Sequence, residues 1–424
     1  MKKTLSAILA LILLMTSLLS LGAALAEEEV VFSIAVSAAE IPDETSELYW
    51  FTKYITDTYP NAKIEWQLNS THDDHRTKIK LQAQANEMPD MFWESMENVP
   101  ELIEMGALAP ITEAVKDVSF VAGATDNVTF DGEVYGMVYK NDIMGFWYNK
   151  DLLASVGYDA VPTDWNEFLN MIATLKEAGI TPISHGGTDL WAVWGYNLFF
   201  HRYGFDQYKD AFLNGEIKWA ETEALVKPFE RICELAAAGA YPETVTTQGN
   251  DYAMNVFLAG DAALYSTGTW AISSFNQSEI VDSIELSWGP LFEDGIEDQK
   301  IALKEYTNAY WFSKAALEDE TKRAILFDAI RNWYSQDVTN DIVVDTLQLM
   351  PAVPYTGTGE KISAMLNRCL GYVADDYSAN IQVCVGIPDS SFQQPFWNAI
   401  TSCITGFMTA EEAAASMDEW FETR

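Results

Sequence analysis

The sequence has few basic residues, few histidines and few cysteines for its length of 424 residues. Lysine and arginine together number 25, against 63 aspartates and glutamates, so the formal net charge is −38. A field of that sign repels the phosphates of nucleic acid and anionic membrane surfaces, and both are excluded as expected partners. It also disfavours an anionic small ligand, unless a local basic pocket overrides the net charge.

The motifs that mark nucleotide-binding and hydrolytic sites are missing from the sequence. There is no phosphate loop ending in Gly-Lys-Ser/Thr, no Gly-x-Ser-x-Gly elbow and no dinucleotide fingerprint. His72 and His75 have the spacing of two metal ligands, but a closed zinc site needs four. The other histidines, His185 and His201, and all cysteines lie far away in sequence. The polar start of a helix is therefore the preferred interpretation of the pair.

Long apolar runs are also missing, apart from one that extends from Leu5 to Leu21. Lys2 and Lys3 precede this run, and the small-x-small pattern Ala24-Leu25-Ala26 follows it. These features predict that residues 1–26 are a signal peptide, which is cleaved to leave a mature chain starting near Glu27. We therefore expect the protein in the periplasm or outside the cell.

The cysteines would then lie in an oxidising compartment. Their positions are Cys233, Cys369, Cys384 and Cys403. Four cysteines allow three pairings, and the sequence does not choose among them. A C-terminal disulfide and buried free thiols both remain open.

The start of the mature chain has the pattern of an α/β sheet. Val30 to Val36 is a continuous apolar run typical of a buried parallel strand, and Ile64, Trp66 and Leu68 alternate as a second strand. Between them lies a helix with an apolar side, so the three elements predict a crossover unit. A chain of this length suits two domains of roughly 150 to 200 residues.

The stretch from Phe130 to Trp191 carries several motifs in a fixed order. Asp131-Gly132 predicts a hairpin turn, and Ile143 to Tyr148 predicts a strand that leads into Asn149-Lys150-Asp151-Leu152. Pro162-Thr163 then opens an amphipathic helix that ends at Gly179, and Pro182 follows.

Further motifs lie on either side of this stretch. Pro89-Asp90 opens a short apolar strand that ends in an aromatic residue, and Gly106 to Thr112 has the form Gly-x-Leu-x-Pro-Ile-Thr. Gly268-Thr269-Trp270 follows a predicted strand. Near the C-terminus, Thr409 and Glu412 predict a capping box at the start of the last helix.

In this order and spacing, the motifs resemble those of the extracellular solute-binding proteins of carbohydrate ABC importers (family 1), the group that contains maltose-binding protein. The resemblance covers essentially the whole mature chain. It implies an α/β, two-lobe periplasmic-binding-protein fold of type II, with hinge segments and a ligand cleft between the lobes. The expected N-terminal lobe is 27–140 plus about 292–357, and the expected C-terminal lobe is 141–291 plus about 358–424. Crossings between the lobes are expected near 140–142, 288–291 and 355–360.

The function that this resemblance implies is capture of a sugar, expected to be a neutral oligosaccharide, and its delivery to an ABC permease with a cytoplasmic ATPase. Such a protein is a monomer, is not an enzyme and needs no cofactor or metal. Relatives from Gram-positive bacteria carry a lipid-accepting cysteine at the cleavage site, but Leu21 to Ala24 contains none. A free protein is therefore expected.

Three other functions stay open at this point. The protein could bind a solute other than a sugar, or act as an extracellular carbohydrate sensor on the same fold. A glycosidase would also place carboxylates beside tryptophans, but it needs two carboxylates at a set separation, and no hydrolase motif accompanies them.

The resemblance also places candidate ligand-binding residues. A sugar site combines aromatic rings, which cover the C–H face of the sugar, with carboxylates and amides that bind its hydroxyls. Each aromatic candidate has core packing as its alternative, Asp142 has a hinge ion pair, and the other polar candidates have solvated loops. The candidates are Trp93, Asp142, Trp191, Trp194, Trp270, Trp397, Glu40, Asn69, Asp73 and Tyr310, with Trp270 favoured most.

Overall fold

The structure is a computed structural model that describes residues 28–37, 43–287, 301–305, 308–374, 378–380, 383–384, 386–387 and 389–424. The predicted signal peptide, Glu40 and the predicted crossing at 288–291 lie outside these residues.

The strands are β1 (Val30–Ser37), β2 (Ala62–Asn69), β3 (Met91–Ser95), β4 (Thr129–Phe130), β5 (Glu133–Val134), β6 (Gly136–Val138), β7 (Asp142–Asn149), β8 (Thr181–Ser184), β9 (Ala262–Gly268), β10 (Ile284–Ser287), β11 (Ile301–Glu305), β12 (Asn308–Phe312) and β13 (Ser378–Asn380). The α-helices are α1 (Glu47–Thr58), α2 (His72–Ala85), α3 (Pro100–Glu104), α4 (Thr112–Val115), α5 (Lys150–Ser155), α6 (Trp165–Glu177), α7 (Asn197–Arg202), α8 (Phe205–Leu213), α9 (Glu223–Ala238), α10 (Asn250–Leu258), α11 (Ile272–Asn276), α12 (Lys314–Glu318), α13 (Glu320–Trp333), α14 (Ala364–Ala374), α15 (Gln393–Thr405) and α16 (Ala410–Thr423).

The first sheet has the strand order β2-β1-β3-β12-β6. β1 pairs in parallel with β2, as the strand-helix-strand pattern predicts, and also with β3. β12 is antiparallel to β3 and to β6. Helix α1 buries Leu48, Phe51 and Ile55 against this sheet, within one apolar core. This sheet and its helices form what we call the first lobe.

The second sheet has the order β13-β11-β7-β9-β8, and β10 pairs with β7. Successive side chains of β7 enter two different cores: Met144 and Phe146 enter one, and Ile143 and Trp147 enter the other. Because side chains alternate along a strand, β7 is buried on both faces. This sheet and its two cores form the second lobe.

The predicted boundary between the lobes needs one correction. Residues 301–305 were expected in the N-terminal lobe, but β11 pairs antiparallel with β7 of the second sheet, with Leu303 opposite Met144. Its apolar side chain enters the second-lobe core, where Leu303 is buried. Residues 301–305 therefore belong to the second lobe and β12 (Asn308–Phe312) to the first. The other predicted boundaries stay predictions.

The local structure confirms most of the predicted elements and explains their motifs. Asp131 and Gly132 have φ of 51° and 83°, the left-handed values that a two-residue hairpin turn requires, and β4 and β5 flank them. The Asn149 side chain caps α5 by accepting hydrogen bonds from the backbone N–H groups of Asp151 and Leu152. The capping box of Thr409 and Glu412 is also present at α16.

The Pro-Asp motif ties three elements of the first lobe together. The Asp90 Oδ2 atom accepts hydrogen bonds from the backbone N–H of Ser33 at 2.7 Å and from Nζ of Lys322 at 2.9 Å. Asp90 thus joins the start of β3 to β1 and to α13. The Pro-Asp motif that supports the resemblance therefore has a structural role, because it connects three elements of the first lobe.

Among the described residues, no helix combines the length and the apolar character that spanning a membrane would require.

Candidate functional site

Four aromatic rings form a cluster in the first lobe, around Trp93 in the middle of β3. The Trp93 indole Nε1–H donates to the Tyr139 hydroxyl at 3.0 Å, and Trp93 faces Tyr310 across the β3–β12 pair. The ring centroids of Tyr139 and Tyr310 lie 5.0 Å apart, and the His72 ring lies 4.9 Å from that of Trp93. The Tyr310 hydroxyl donates to the Glu47 carboxylate at 3.1 Å, and both side chains are buried. Hydrogen bonds thus hold Trp93, Tyr139 and Tyr310 in place. We call this cluster the first-lobe wall.

His75 also contacts this cluster, through the backbone of Trp93. Its Nδ1 lies 2.8 Å from the Asn69 amide nitrogen, and its Nε2 lies 2.7 Å from the Trp93 carbonyl oxygen. This arrangement makes Nε2 the donor and Nδ1 the acceptor, as in a neutral imidazole. Burial lowers the pKa of both His72 and His75. Both nitrogens of His75 are occupied, and within the described ranges no three His, Cys, Asp or Glu side chains are grouped to hold a metal ion.

Two tryptophans form an aromatic pair in the second lobe, which we call the second-lobe wall. The rings of Trp194 and Trp270 meet edge to face with centroids 4.8 Å apart. Trp270 lies in the turn after β9 and folds back over Gly268, so that a Cβ placed on Gly268 would lie 2.1 Å from the nearest ring atom. A glycine is therefore required if the indole is to keep this position, which explains the Gly-x-Trp motif.

Asp142 lies at the first crossing between the lobes and is almost fully buried. Its Oδ1 accepts a hydrogen bond from the Thr269 hydroxyl at 2.7 Å, and Oδ2 lies 3.1 Å from Nζ of Lys140. The Thr269 hydroxyl oxygen also accepts from the backbone N–H of Ile143 at 3.1 Å. The carboxylate thus joins the hinge to the residue that precedes Trp270.

A cavity of about 320 Å³ lies between the lobes. It is lined by Asp73 and Arg76 of α2 in the first lobe and by Thr188, Asp189, Leu190, Gln393, Gln394 and Trp397 of the second lobe. Three of its lining residues have a buried N–H group with no hydrogen-bond partner in the described part of the chain: Arg76 Nε, Gln393 Nε2 and Trp397 Nε1. Buried donors are almost always paired in proteins, so these three are suited to a ligand that accepts hydrogen bonds.

Carboxylates and a second cavity complete this region. Asp73 is exposed, and its Oδ1 lies 3.6 Å from Nη1 of Arg76. The Oδ2 of Asp189 accepts a hydrogen bond from the backbone N–H of Asn250 at 2.6 Å, which fixes the loop that bears it. Arg76 also lines a neighbouring cavity of about 320 Å³, which reaches Glu94 of the first lobe and Asp389 of the second. Arg76 therefore belongs to the lining of both cavities.

The predicted site residues fall into four groups. Asp73 and Trp397 line the inter-lobe cavity, and Trp93, Tyr310, Trp194, Trp270 and Asp142 lie in the two walls and the hinge. Asn69 is buried and engaged with His75. Trp191 belongs to the turn Leu190–Ala192, beside the cavity-lining Leu190, but its side chain and all of Glu40 lie outside the described residues. Which of these residues contact ligand stays a prediction.

Sequence reasoning missed Arg76 and Gln393, although a simple signal was available. Gln393 lies four positions before Trp397 on α15, and Arg76 lies three positions after Asp73 on α2. Residues three or four apart share one face of a helix. Once the helices are known, Trp397 therefore indicates Gln393, and Asp73 indicates Arg76, as a further residue on the same helix face.

A model of the bacterial extracellular solute-binding protein family matches residues 41–327. An uncharacterized ABC transporter extracellular-binding protein of Pyrococcus horikoshii is 26% identical over 217 residues, which is 50% of each chain. A probable sugar-binding periplasmic protein of Brucella suis is 28% identical over 131 residues, 30% of each chain. The chain thus spans half or less of the length of these curated relatives.

Among solved structures, a chitin oligosaccharide binding protein superimposes with a TM-score of 0.80 at 20% identity. The superposition covers 93% of this chain and 98% of that one. This likeness shows that both chains have the same two-lobe α/β fold.

Proposed function

Since the chain belongs to the bacterial extracellular solute-binding protein family, we propose that it captures a neutral oligosaccharide between its lobes and delivers it to an ABC permease. The transport role of the family involves binding and release, so no residue is assigned a catalytic role.

One observation carries the sugar proposal: the inter-lobe cavity offers donors, acceptors and an aromatic ring together. Sugar hydroxyls both donate and accept hydrogen bonds, and the unpaired N–H groups of Arg76, Gln393 and Trp397 can meet their oxygens. The carboxylates of Asp73 and Asp189 can accept from hydroxyl protons. One cation beside two anions favours a neutral ligand over an anionic one.

The names of similar proteins agree with this ligand class. The Brucella suis relative is named a probable sugar-binding protein, and the structural neighbour is named for chitin oligosaccharides. The second cavity across Arg76 provides room for a further sugar unit, which supports an oligosaccharide over a monosaccharide.

We assign roles to the aromatic candidates first. Trp397 and Trp270 pack against the faces of the sugar rings, and Trp194 packs against Trp270. Trp93 contributes an aromatic ring from the first lobe. The remaining candidates are kept as hydroxyl partners or flanking contacts, namely Asp142, Asn69, Asp73, Tyr310, Glu40 and Trp191.

Ligand binding and lobe closure are coupled in this proposal. Arg76 belongs to the first lobe, and Gln393 and Trp397 belong to the second, so a ligand that contacts all three binds the closed form better than the open form. A ligand shifts a two-state equilibrium only by such differential affinity. The closed form then docks on the permease, whose cytoplasmic ATPase drives transport. We further propose that the protein acts as a monomer and is exported to the periplasm or cell exterior, with its signal peptide cleaved after residue 26.

A thermal-shift screen of residues 27–424 tests the ligand class, with neutral oligosaccharides, monosaccharides, uronic acids, polyols and amino acids as candidates. A ligand at 100 times its Kd adds about 2.7 kcal/mol of stability. With an unfolding entropy near 0.8 kcal/mol/K for about 400 residues, Tm should rise by about 3 °C. A rise with a neutral oligosaccharide is expected, and a rise only with another solute class would refute the sugar proposal.

Two conservative variants then test the site. Trp397→Phe removes the Nε1–H donor but keeps an aromatic ring, and Gln393→Leu removes the amide at similar size. Each loses one hydrogen bond to ligand, worth about 1 kcal/mol, so Kd should weaken about fivefold by calorimetry. Trp165→Phe is the matched control, because its Nε1–H donates to Glu234 at 2.7 Å, away from the cavity. Unchanged affinity in both cavity variants would place the ligand elsewhere.

A further inference from the structure

Two of the four cysteines lie against each other in the second lobe. Cys233 belongs to α9 and Cys403 to α15, two helices that pack together. Their side chains line the same cavity, and the Cys233 thiol donates to the Met408 carbonyl oxygen at 3.7 Å. Cys369 lies in the other core of the lobe, so it does not compete for either partner.

An oxidant can reach this pair from solvent. Both cysteines line a cavity of about 690 Å³, which is formed by α9, the end of α15 and the start of α16. Cys233 is half-buried, whereas Cys403 is buried behind it. The cavity is lined by second-lobe residues alone, so it is separate from the inter-lobe site.

The two thiols also differ in acidity. The hydrogen bond from Cys403 lowers the pKa of Cys233, and the same bond, with burial, raises the pKa of Cys403. The more accessible thiol is therefore the one that ionises first, and a thiolate is the reactive form of cysteine.

We propose that Cys233 and Cys403 form a disulfide that ties α9 to α15 when the protein is exposed to an oxidising thiol-disulfide partner. The family is extracellular, and such compartments maintain disulfides. The Cys233 thiolate attacks one sulfur of the oxidant disulfide and releases a thiolate. Cys403 then loses its proton and attacks the Cys233 sulfur, which releases the second thiolate. The oxidant gains two electrons, and the protein loses two protons.

The bond would close the chain between residues 233 and 403, a long loop that includes β9, β10 and β11. Closing a long loop restricts the unfolded chain more than closing a short one, so the stabilisation should be readily measurable. It would also fasten α15, which bears Gln393 and Trp397 at its first two turns, to the body of the second lobe. The bond acts on stability and does not depend on the identity of the ligand.

The test uses the mature protein incubated with oxidised glutathione, then denatured without reductant. We expect two free thiols per chain by thiol titration, and a non-reduced digest should contain one cross-linked peptide pair that holds residues 233 and 403. The Tm of the oxidised protein should fall by several degrees on reduction.

Matched variants separate the pair from the other cysteines. Cys369→Ala should keep the cross-link and the reduction-sensitive Tm, with one free thiol remaining. The double variant Cys233→Ala, Cys403→Ala should lose both the cross-link and the sensitivity to reductant. Four free thiols in the oxidised wild type, or a cross-link to Cys369 or Cys384, would overturn the proposal. Both readouts need no sugar, so they are independent of the proposed function.

Discussion

The turn at Gly268 gives the most direct test of how the second-lobe wall is built, through the substitution Gly268→Ala. A Cβ at this position would lie 2.1, 2.4 and 2.5 Å from three ring atoms of Trp270, all well inside van der Waals contact. The backbone is not the difficulty, since φ is −117° and ψ is −178°, which alanine adopts freely. The cost must therefore come from displacing the indole.

The size of that cost follows from the neighbours of the ring. Trp270 is half-buried, so it can move partly toward solvent, but it must leave its edge-to-face contact with Trp194. Overpacking of this kind costs about 1–3 kcal/mol, and we expect about 2 kcal/mol. In a Trp270→Ala background the clash is gone. There, replacing glycine should stabilise the protein by about 0.5 kcal/mol, because the unfolded chain loses freedom.

Urea unfolding of the four proteins in this double-mutant cycle measures the coupling, expected near 2.5 kcal/mol. An equal cost for Gly268→Ala with and without the indole would refute the reasoning. Gly371→Ala is the control for the substitution itself: Gly371 is exposed on α14 with no atom within 4 Å of a new Cβ. It should stabilise the helix by about 0.5–1 kcal/mol. Calorimetry with the bound sugar should also show weaker binding by Gly268→Ala, because the platform is displaced.

Two further predictions concern stability. Asp90→Asn leaves the partly buried Lys322 ammonium without its counter-charge and should lower the free energy of unfolding in urea by about 2 kcal/mol. In that background Lys322→Met should cause little further loss. Full additivity of the two losses would contradict the ion-pair argument. Burial lowers the pKa of His185 to about 4, below the unfolded value near 6.5. As the pH drops from 6.5 toward 4, the unfolded chain therefore binds a proton that the folded chain does not, and the stability should fall. The loss reaches roughly 3 kcal/mol at 1.36 kcal/mol per pH unit, and His185→Phe should lack this part of the pH dependence; identical profiles would exclude it.

The sequence was most informative where short-range physics decides the structure. The Asp131-Gly132 turn, the Thr409–Glu412 capping box and the buried face of α6 depend on neighbouring residues alone, and the structure confirms each. The start of α2 follows the same rule. Thr71 caps the helix at His72, because its side chain accepts the N–H of Asp74, and His72 and His75 lie in the first turns of the helix as predicted.

Tertiary placement was harder to predict. Asn69 and Tyr310 have ordinary polar groups in sequence, but the fold gives each a buried partner, His75 and Glu47. β11 carries no mark of the lobe that it joins, since strand pairing is decided by contacts far away along the chain. Arg76 emerged as a site residue only when α2 of one lobe was seen to face α15 of the other.

The position of β12 in the first sheet has a consequence for how the chain matures. This strand, residues 308–312, lies between β3 and β6. The sheet therefore lacks the strand that joins β3 to β6 until about three quarters of the chain has been made. A nascent chain that ends before it has β6 without its neighbour and the first-lobe core without Tyr310 and Trp311. Such late, long-range closure slows folding. The first sheet can therefore be completed only after most of the chain has been synthesised.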